Sequence, residues 1–119
     1  MNAKFISEFI NAGYNRSTLN DWITLKDHGV STSFITELKT LGYDRLPLDD
    51  LRRMKDHGVS SAFIKELQDL GYNNTSVEQL VRLKDHGVSA SYIKRMKERG
   101  YADLSLDEFI RLRDRGERE

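Results

Sequence analysis

The hexapeptide KDHGVS occupies residues 26–31 and returns unchanged at 55–60 and at 84–89, so the copies follow one another at a constant interval. The surrounding residues repeat as well, since segments 34–62 and 63–91 are identical at 15 of 29 positions. Self-similarity at a fixed period of this length is the signature of a repeat protein. We therefore predict a single repeat domain over residues 1–119, with four repeats at approximately 5–33, 34–62, 63–91 and 92–119.

Each repeat begins with a short predicted helix. In the segment FITELKTL, Phe34, Ile35, Leu38 and Leu41 fall on one helical stripe. Gly42 follows, and glycine readily adopts the left-handed conformation that ends many helices. A Gly-Tyr pair ends this helix in every repeat, at 13–14, 42–43, 71–72 and 100–101. We expect each tyrosine to bury its ring at the edge of the core and to leave its hydroxyl in water.

A second predicted helix follows, as in SVEQLVRL at residues 76–83. Ser76 can cap the free backbone N–H groups, and Gln79 can reciprocate in a capping box. Ser105 with Glu108 repeats this arrangement, and Thr18 with Asp21 gives a weaker version. The apolar stripe of this helix is formed by Val77, Leu80, Val81 and Leu83, and again by Leu106, Phe109, Ile110 and Leu112.

The end of the hexapeptide is predicted to be a turn between repeats. Its glycine ends one helix, its valine packs back onto that helix, and its serine caps the next helix. The predicted structural turn residues are Gly29, Val30, Ser31, Gly58, Val59, Ser60, Gly87, Val88 and Ser89. Helices of about ten residues are marginal in isolation, so they must be stabilised by packing between repeats. The predicted fold is all-α, with tandem two-helix repeats stacked as an α-solenoid or superhelical array.

The repeated histidines, His28, His57 and His86, raise the question of metal binding or acid–base catalysis. Equivalent residues on successive packed helices lie roughly 8–10 Å apart, whereas zinc ligands converge to about 2 Å from the metal. Neighbouring aspartate and histidine point in different directions on a helix, so Asp27 does not orient His28. We expect no catalytic, cofactor-binding or metal-binding residue, and we expect each histidine to bond carbonyls at a helix C-terminus.

An aspartate precedes each histidine position, at Asp27, Asp56, Asp85 and Asp114. A negative charge near a helix C-terminus is mildly unfavourable, so it needs a compensating partner. The expected partners lie three residues earlier on the same helix, at Arg53, Arg82 and Arg111. A cap on a helix in the neighbouring repeat is the alternative.

Composition limits the functions open to the chain. Its 19 basic and 19 acidic residues cancel, so no strongly basic field draws it to nucleic acid. It has no cysteine, which is compatible with a reducing compartment and slightly favours the cytoplasm. The segment MNAKFISEFINAGY has no apolar run long enough for a signal peptide or a membrane span, so a soluble segment without membrane contact is expected.

A DNA-binding alternative rests on LKDHGVSASYIKRM at residues 83–96, which resembles a helix-turn-helix core. That motif normally has a small residue four positions before the turn glycine, where this chain has Leu25, Met54, Leu83 and Leu112. Only the last repeat carries a basic cluster, and its acidic residues nearly balance it. The cluster consists of Lys94, Arg95, Lys97, Arg99, Arg111, Arg113 and Arg115. Nucleic-acid binding is therefore the second hypothesis.

The pattern HGVSSAFIKELQDLGY, followed by SVEQLVRLKDHGV, resembles short tandem helical repeats of bacterial proteins that often trail sensor-type zinc metallopeptidases. The resemblance extends from Phe5 to Gly116, and near-verbatim copies also suit a consensus-built chain. The zinc motif of the peptidase is absent, so the resemblance implies an accessory role in protein contact.

The sequence thus predicts a non-enzymatic helical-repeat module for protein–protein interaction or scaffolding, with self-association as a further expectation. The protein partner is not identified by the sequence. Polar helix positions that differ between repeats are expected to form the partner surface. The expected surface residues are Lys65, Asp69, Lys94, Arg95 and Glu98.

Overall fold

The computed structural model of the chain describes residues 3–11, 14 and 18–116. The described part contains eight α-helices and no β-strand, so the predicted all-α class is confirmed. The helices are α1 (Ala3–Asn11), α2 (Leu19–Asp27), α3 (Thr32–Thr40), α4 (Leu48–Asp56), α5 (Ser61–Asp69), α6 (Val77–Asp85), α7 (Ala90–Glu98) and α8 (Leu106–Asp114). The first predicted stop glycine, Gly13, lies outside the described residues.

The chain divides into two compact units, Met1–Asp56 and His57–Glu119, here called the N-terminal and C-terminal units. In the N-terminal unit, α1 packs on α3 and α2 packs on α4. In the C-terminal unit, α5 packs on α7 and α6 packs on α8. Helices thus contact the helix that has the same position in the next repeat. Continuous stacking of all four repeats as a solenoid stays a prediction.

Side-chain caps begin most of these helices. Thr18 with Asp21 and Ser105 with Glu108 form complete capping boxes, in which each side chain bonds the backbone N–H of the other residue. Both boxes are therefore complete in the structure. Ser76 accepts from the backbone N–H of Gln79, but the Gln79 amide donates to Asp107 in α8 and does not reciprocate. The predicted box at Ser76 is therefore only half formed.

The apolar stripes form the core. All four stripe residues of α6 and all four of α8 are buried. Packing removes these side chains from water, and full burial of one such side chain stabilises the fold by about 1.5–3 kcal/mol. The buried residues are Val77, Leu80, Val81, Leu83, Leu106, Phe109, Ile110 and Leu112.

Two of the four tyrosines that follow the stop glycines, Tyr14 and Tyr72, differ from expectation. The Tyr14 hydroxyl donates to the carbonyl of Leu46 at 2.9 Å, and the Tyr72 hydroxyl donates to the carbonyl of Leu104 at 2.8 Å. These hydroxyls are not simply left in water, because each reaches a loop of the following repeat. Burial, followed by the nearby charge of Asp44, raises the pKa of Tyr14 to about 12.

Among the described residues, no helix combines the length and the apolar character needed to cross a membrane.

Candidate functional site

The turn glycines and valines of the hexapeptide have a common geometry. Gly29, Gly58 and Gly87 have φ of 79°, 77° and 73°, in the left-handed region that favours glycine. The valine after each glycine is 1% exposed and therefore packs back onto the helix that has just ended. These valines are Val30, Val59 and Val88.

The serines of the turns cap the first helix of the next repeat. Ser31, Ser60 and Ser89 accept from the backbone N–H three residues later, at 3.0–3.1 Å. Three consecutive residues therefore end one helix, pack against it and cap the next helix.

The histidine contacts correct the prediction from sequence. His28 Nδ1 lies 2.7 Å from Asp56 Oδ1, and His57 Nδ1 lies 2.7 Å from Asp85 Oδ1. His86 Nδ1 lies 3.0 Å from Asp114 Oδ1. A carboxylate can only accept, so each Nδ1 carries the hydrogen. The histidines therefore do not bond helix-end carbonyls through Nδ1, and each is held by the aspartate of the following repeat.

The aspartates consequently have partners other than the expected arginines. Asp56, Asp85 and Asp114 each bind a histidine of the preceding repeat. Arg53 lies 3.8 Å from Asp50, and Arg82 binds Asp107 of α8 at 2.9 Å. Asp56 also lies 3.8 Å from Arg52 of its own helix. The aspartates therefore pair with the preceding repeat in addition to a contact within α4, and that contact is not the predicted one with Arg53.

The lysine of the hexapeptide makes a contact that is not among the predictions from sequence. Lys55 Nζ lies 4.6 Å from the ring centre of Phe34, and Lys84 Nζ lies 4.8 Å from that of Phe63. In the last repeat, Arg113 lies 5.5 Å from the ring centre of Tyr92. Such cation–π contacts contribute about 0.5–1 kcal/mol when exposed. The sequence signal is that ring and cation keep the same separation along the chain in all three repeats.

The histidine–aspartate pairs do not form a metal centre. Within the described part of the chain, no three histidine, cysteine or acidic side chains are grouped so that they could hold a metal ion. Each imidazole is instead paired separately with its own carboxylate. Their arrangement can link one repeat to the next, and it offers no common atom position at which three of these groups converge.

The residues predicted for a partner surface all lie exposed on the outside of the C-terminal unit. Lys65 Nζ and Asp69 Oδ1 on α5 are 3.7 Å apart, and both side chains are 67% exposed. Lys94, Arg95 and Glu98 lie exposed on α7, which packs beside α5. These five residues are here called the outer face.

The basic cluster of the last repeat is partly engaged in the fold. Lys97 Nζ lies 5.0 Å from the ring centre of Tyr72 and donates to the carbonyl of Ala102 at 2.9 Å. Arg113 packs on Tyr92. The position where a helix-turn-helix motif needs a small residue is occupied by large buried side chains. They are Leu25, Met54, Leu83 and Leu112.

Each unit has an open groove on its surface. One, of about 560 Å³, is in the N-terminal unit and includes Glu8 and Thr32; the Thr32 hydroxyl donates to Glu8 across it. The other, of about 450 Å³, lies at α8 in the C-terminal unit and includes Tyr101, Leu104 and Arg115. The second is here called the α8 groove.

Comparison of the chain with models of known protein families, with curated proteins and with solved structures gives no match.

Proposed function

We propose that the chain is a helical-repeat module that binds a protein partner through its outer face, without an enzymatic reaction of its own. One observation carries the proposal. Most positions that are identical between repeats face the core or the turns, whereas polar positions that differ lie exposed on the neighbouring helices α5 and α7. A frame of stacked repeats that presents variable residues on its surface is the usual basis of recognition by repeat proteins.

The chemistry of the outer face supports a polypeptide partner. Lys65 and Asp69 on α5 match Lys94 and Glu98 on α7, one repeat later. Both helices thus present a cation and an anion one turn apart. Such a mixed surface favours a partner with alternating charges, since electrostatic complementarity fixes register and excludes wrong partners. A phosphate backbone carries a single sign of charge and meets repulsion from these acids.

The test is affinity capture from cell extract with the purified chain, compared with the Lys65→Glu/Lys94→Glu variant. Lys4→Glu/Lys39→Glu, exposed substitutions on α1 and α3, is the control with the same change of net charge. We expect one or more proteins that bind the unaltered chain and the control and are lost from the Lys65→Glu/Lys94→Glu variant.

Two results would contradict the proposal. One is capture that the Lys65→Glu/Lys94→Glu variant retains in full. The other is tight binding of labelled duplex DNA or RNA that falls steeply with salt, because counterion release dominates nucleic-acid affinity.

A further inference from the structure

The α6–α8 contact shows how one repeat receives the next. Asp107 of α8 accepts from Gln79 and Arg82 of α6, and Asp114 accepts from His86. On α8, Ile110 lies between the two aspartates at helical spacings of three and four residues, so it is on the same face. It is 2% exposed. This face is here called the docking face, and in α8 it is covered by α6.

Among the described residues of the N-terminal unit, the same face of α2 is exposed. Three repeats earlier in the sequence, Asp107, Ile110 and Asp114 become Asn20, Ile23 and Asp27. Ile23 is 42% exposed, and Leu19, the equivalent of buried Leu106, is 58% exposed. Large apolar side chains are seldom this exposed elsewhere in the described part of the chain. Helix α2 therefore presents an uncovered docking face.

The α8 groove is the matching surface. Its lining includes the residues that stand one repeat after the α6 residues at and around the α6–α8 contact. Tyr72, Gln79, Arg82 and His86 become Tyr101, Glu108, Arg111 and Arg115. The complete lining is Tyr101, Leu104, Glu108, Arg111, Leu112, Asp114 and Arg115. The groove has the position of a receiving surface for one more second helix.

We propose that a second copy of this chain docks here, with the α2 docking face of one copy in the α8 groove of the next. The two surfaces already meet in related form at the α6–α8 contact, so the occupant is argued from an interface within the chain itself. The inference is separate from the proposed function, because it uses the ends of the repeat array and not the outer face.

Charge complementarity supports this occupant. Arg115 stands where His86 binds Asp114, so at the junction it meets Asp27 of the second copy. Arginine and aspartate are both charged at neutral pH, and their hydrogen bonds are charge-assisted. Within the chain, Gln79 donates to Asp107. At the junction Glu108 takes the place of Gln79 and Asn20 takes the place of Asp107, so the direction reverses and the Asn20 amide donates to Glu108. Both exchanges keep a donor opposite an acceptor.

The interface is heterologous, because two different surfaces of the same chain meet. A heterologous contact that does not close into a ring extends into an open chain of subunits. Mass should therefore rise with concentration through dimers to longer species.

The experiment is sedimentation velocity with light scattering on the full chain, up to about 1 mM, the weak end of specific affinities. Asp27→Arg and Arg115→Asp each place like charges at the junction and should weaken association about tenfold or more. The double variant Asp27→Arg/Arg115→Asp restores opposite charges and should regain association. Ile23→Ser should weaken it without changing charge. Lys39→Glu, an exposed charge reversal on α3 outside both the outer face and the junction, is the matched control and should leave the mass distribution unchanged.

Circular dichroism of each variant verifies that the helices are retained. A chain that stays monomeric over the whole concentration range would overturn the inference. So would association that the single variants leave intact, or that the charge-exchanged double variant does not recover. The outer face is unaltered in all of these variants, so capture of a partner through that face tests the proposed function separately from self-association.

Discussion

The histidine–aspartate contact between repeats predicts a measurable coupling free energy. In the C-terminal unit, His57 Nδ1 and Asp85 Oδ1 are 2.7 Å apart, with side chains 39% and 48% exposed. A hydrogen bond of this geometry at a half-exposed site should contribute about 0.5–1 kcal/mol. We expect that value as the interaction term of a double-mutant cycle built from His57→Ala, Asp85→Ala and the double variant.

The cycle is needed because the single variants mix several effects. Asp85 is the last residue of α6, where a negative charge is unfavourable to the helix dipole, so its removal also relieves a repulsion. Such effects cancel in the interaction term when each single variant removes the contact without making new ones. The assay is urea denaturation of the full chain followed by circular dichroism, with the slope compared between variants to verify that the transition is unchanged in kind.

The same unit supplies a matched control. Lys65 and Asp69 are 3.7 Å apart on one helix, and both side chains are 67% exposed. Pairs of this kind contribute about 0.2–0.5 kcal/mol. We expect the coupling of His57 with Asp85 to exceed that of Lys65 with Asp69. Equal couplings, or a value near zero for the histidine pair, would refute the assignment of a structural link between repeats.

Three further predictions concern the frame. Gly29→Ala should lower the free energy of unfolding by about 1–2 kcal/mol, because φ is +79° and no atom lies within 4 Å of an added Cβ, so only backbone strain changes; a urea midpoint like that of the unaltered chain would contradict this. Ser105→Ala should cost about 1 kcal/mol in the same assay through loss of the α8 cap, and retained stability would show that Glu108 alone suffices. Burial raises the pKa of Tyr14 from 10.0 to about 12, so its contribution to stability is complete below pH 10 and is lost as pH rises towards 12. Urea midpoints across that range should therefore fall less for Tyr14→Phe than for the unaltered chain, and parallel curves would refute the assignment.

The fold class was predictable because its signals are local. Each signal lies within a few residues of the structure that it determines. This holds for the apolar stripes, for glycines with positive φ such as Gly29, and for capping serines such as Ser31. The partner of each histidine was not predictable from local signals, because His28 and Asp56 are 28 residues apart. The helical spacing of three residues predicted Arg53 as the partner of Asp56. The structure instead pairs Arg53 with Asp50, and it places Arg52, four residues before Asp56, 3.8 Å from that carboxylate.

The missed contacts nevertheless had a signal in the sequence. The separation between histidine and aspartate is the same in all three pairs, and so is the separation between aromatic ring and cation, because both are fixed by the repeat. Such separations predict contacts only when one knows that helices of the same position pack together, as α6 and α8 do. The orientation of Tyr72 towards Leu104 likewise depends on the loop of the next repeat, which no local pattern describes.

The verbatim hexapeptide follows from these contacts taken together. Its glycine, valine and serine act within one turn, whereas its lysine packs on the aromatic ring that opens its own repeat. Its aspartate binds the histidine of the preceding repeat, and its histidine binds the aspartate of the following repeat. A change at either residue therefore leaves its partner in the neighbouring repeat without that hydrogen bond. Only two positions escape this coupling, Asp27 before the first pair and Arg115 after the last. One is an acid and the other a base, as expected of ends that meet when one copy follows another.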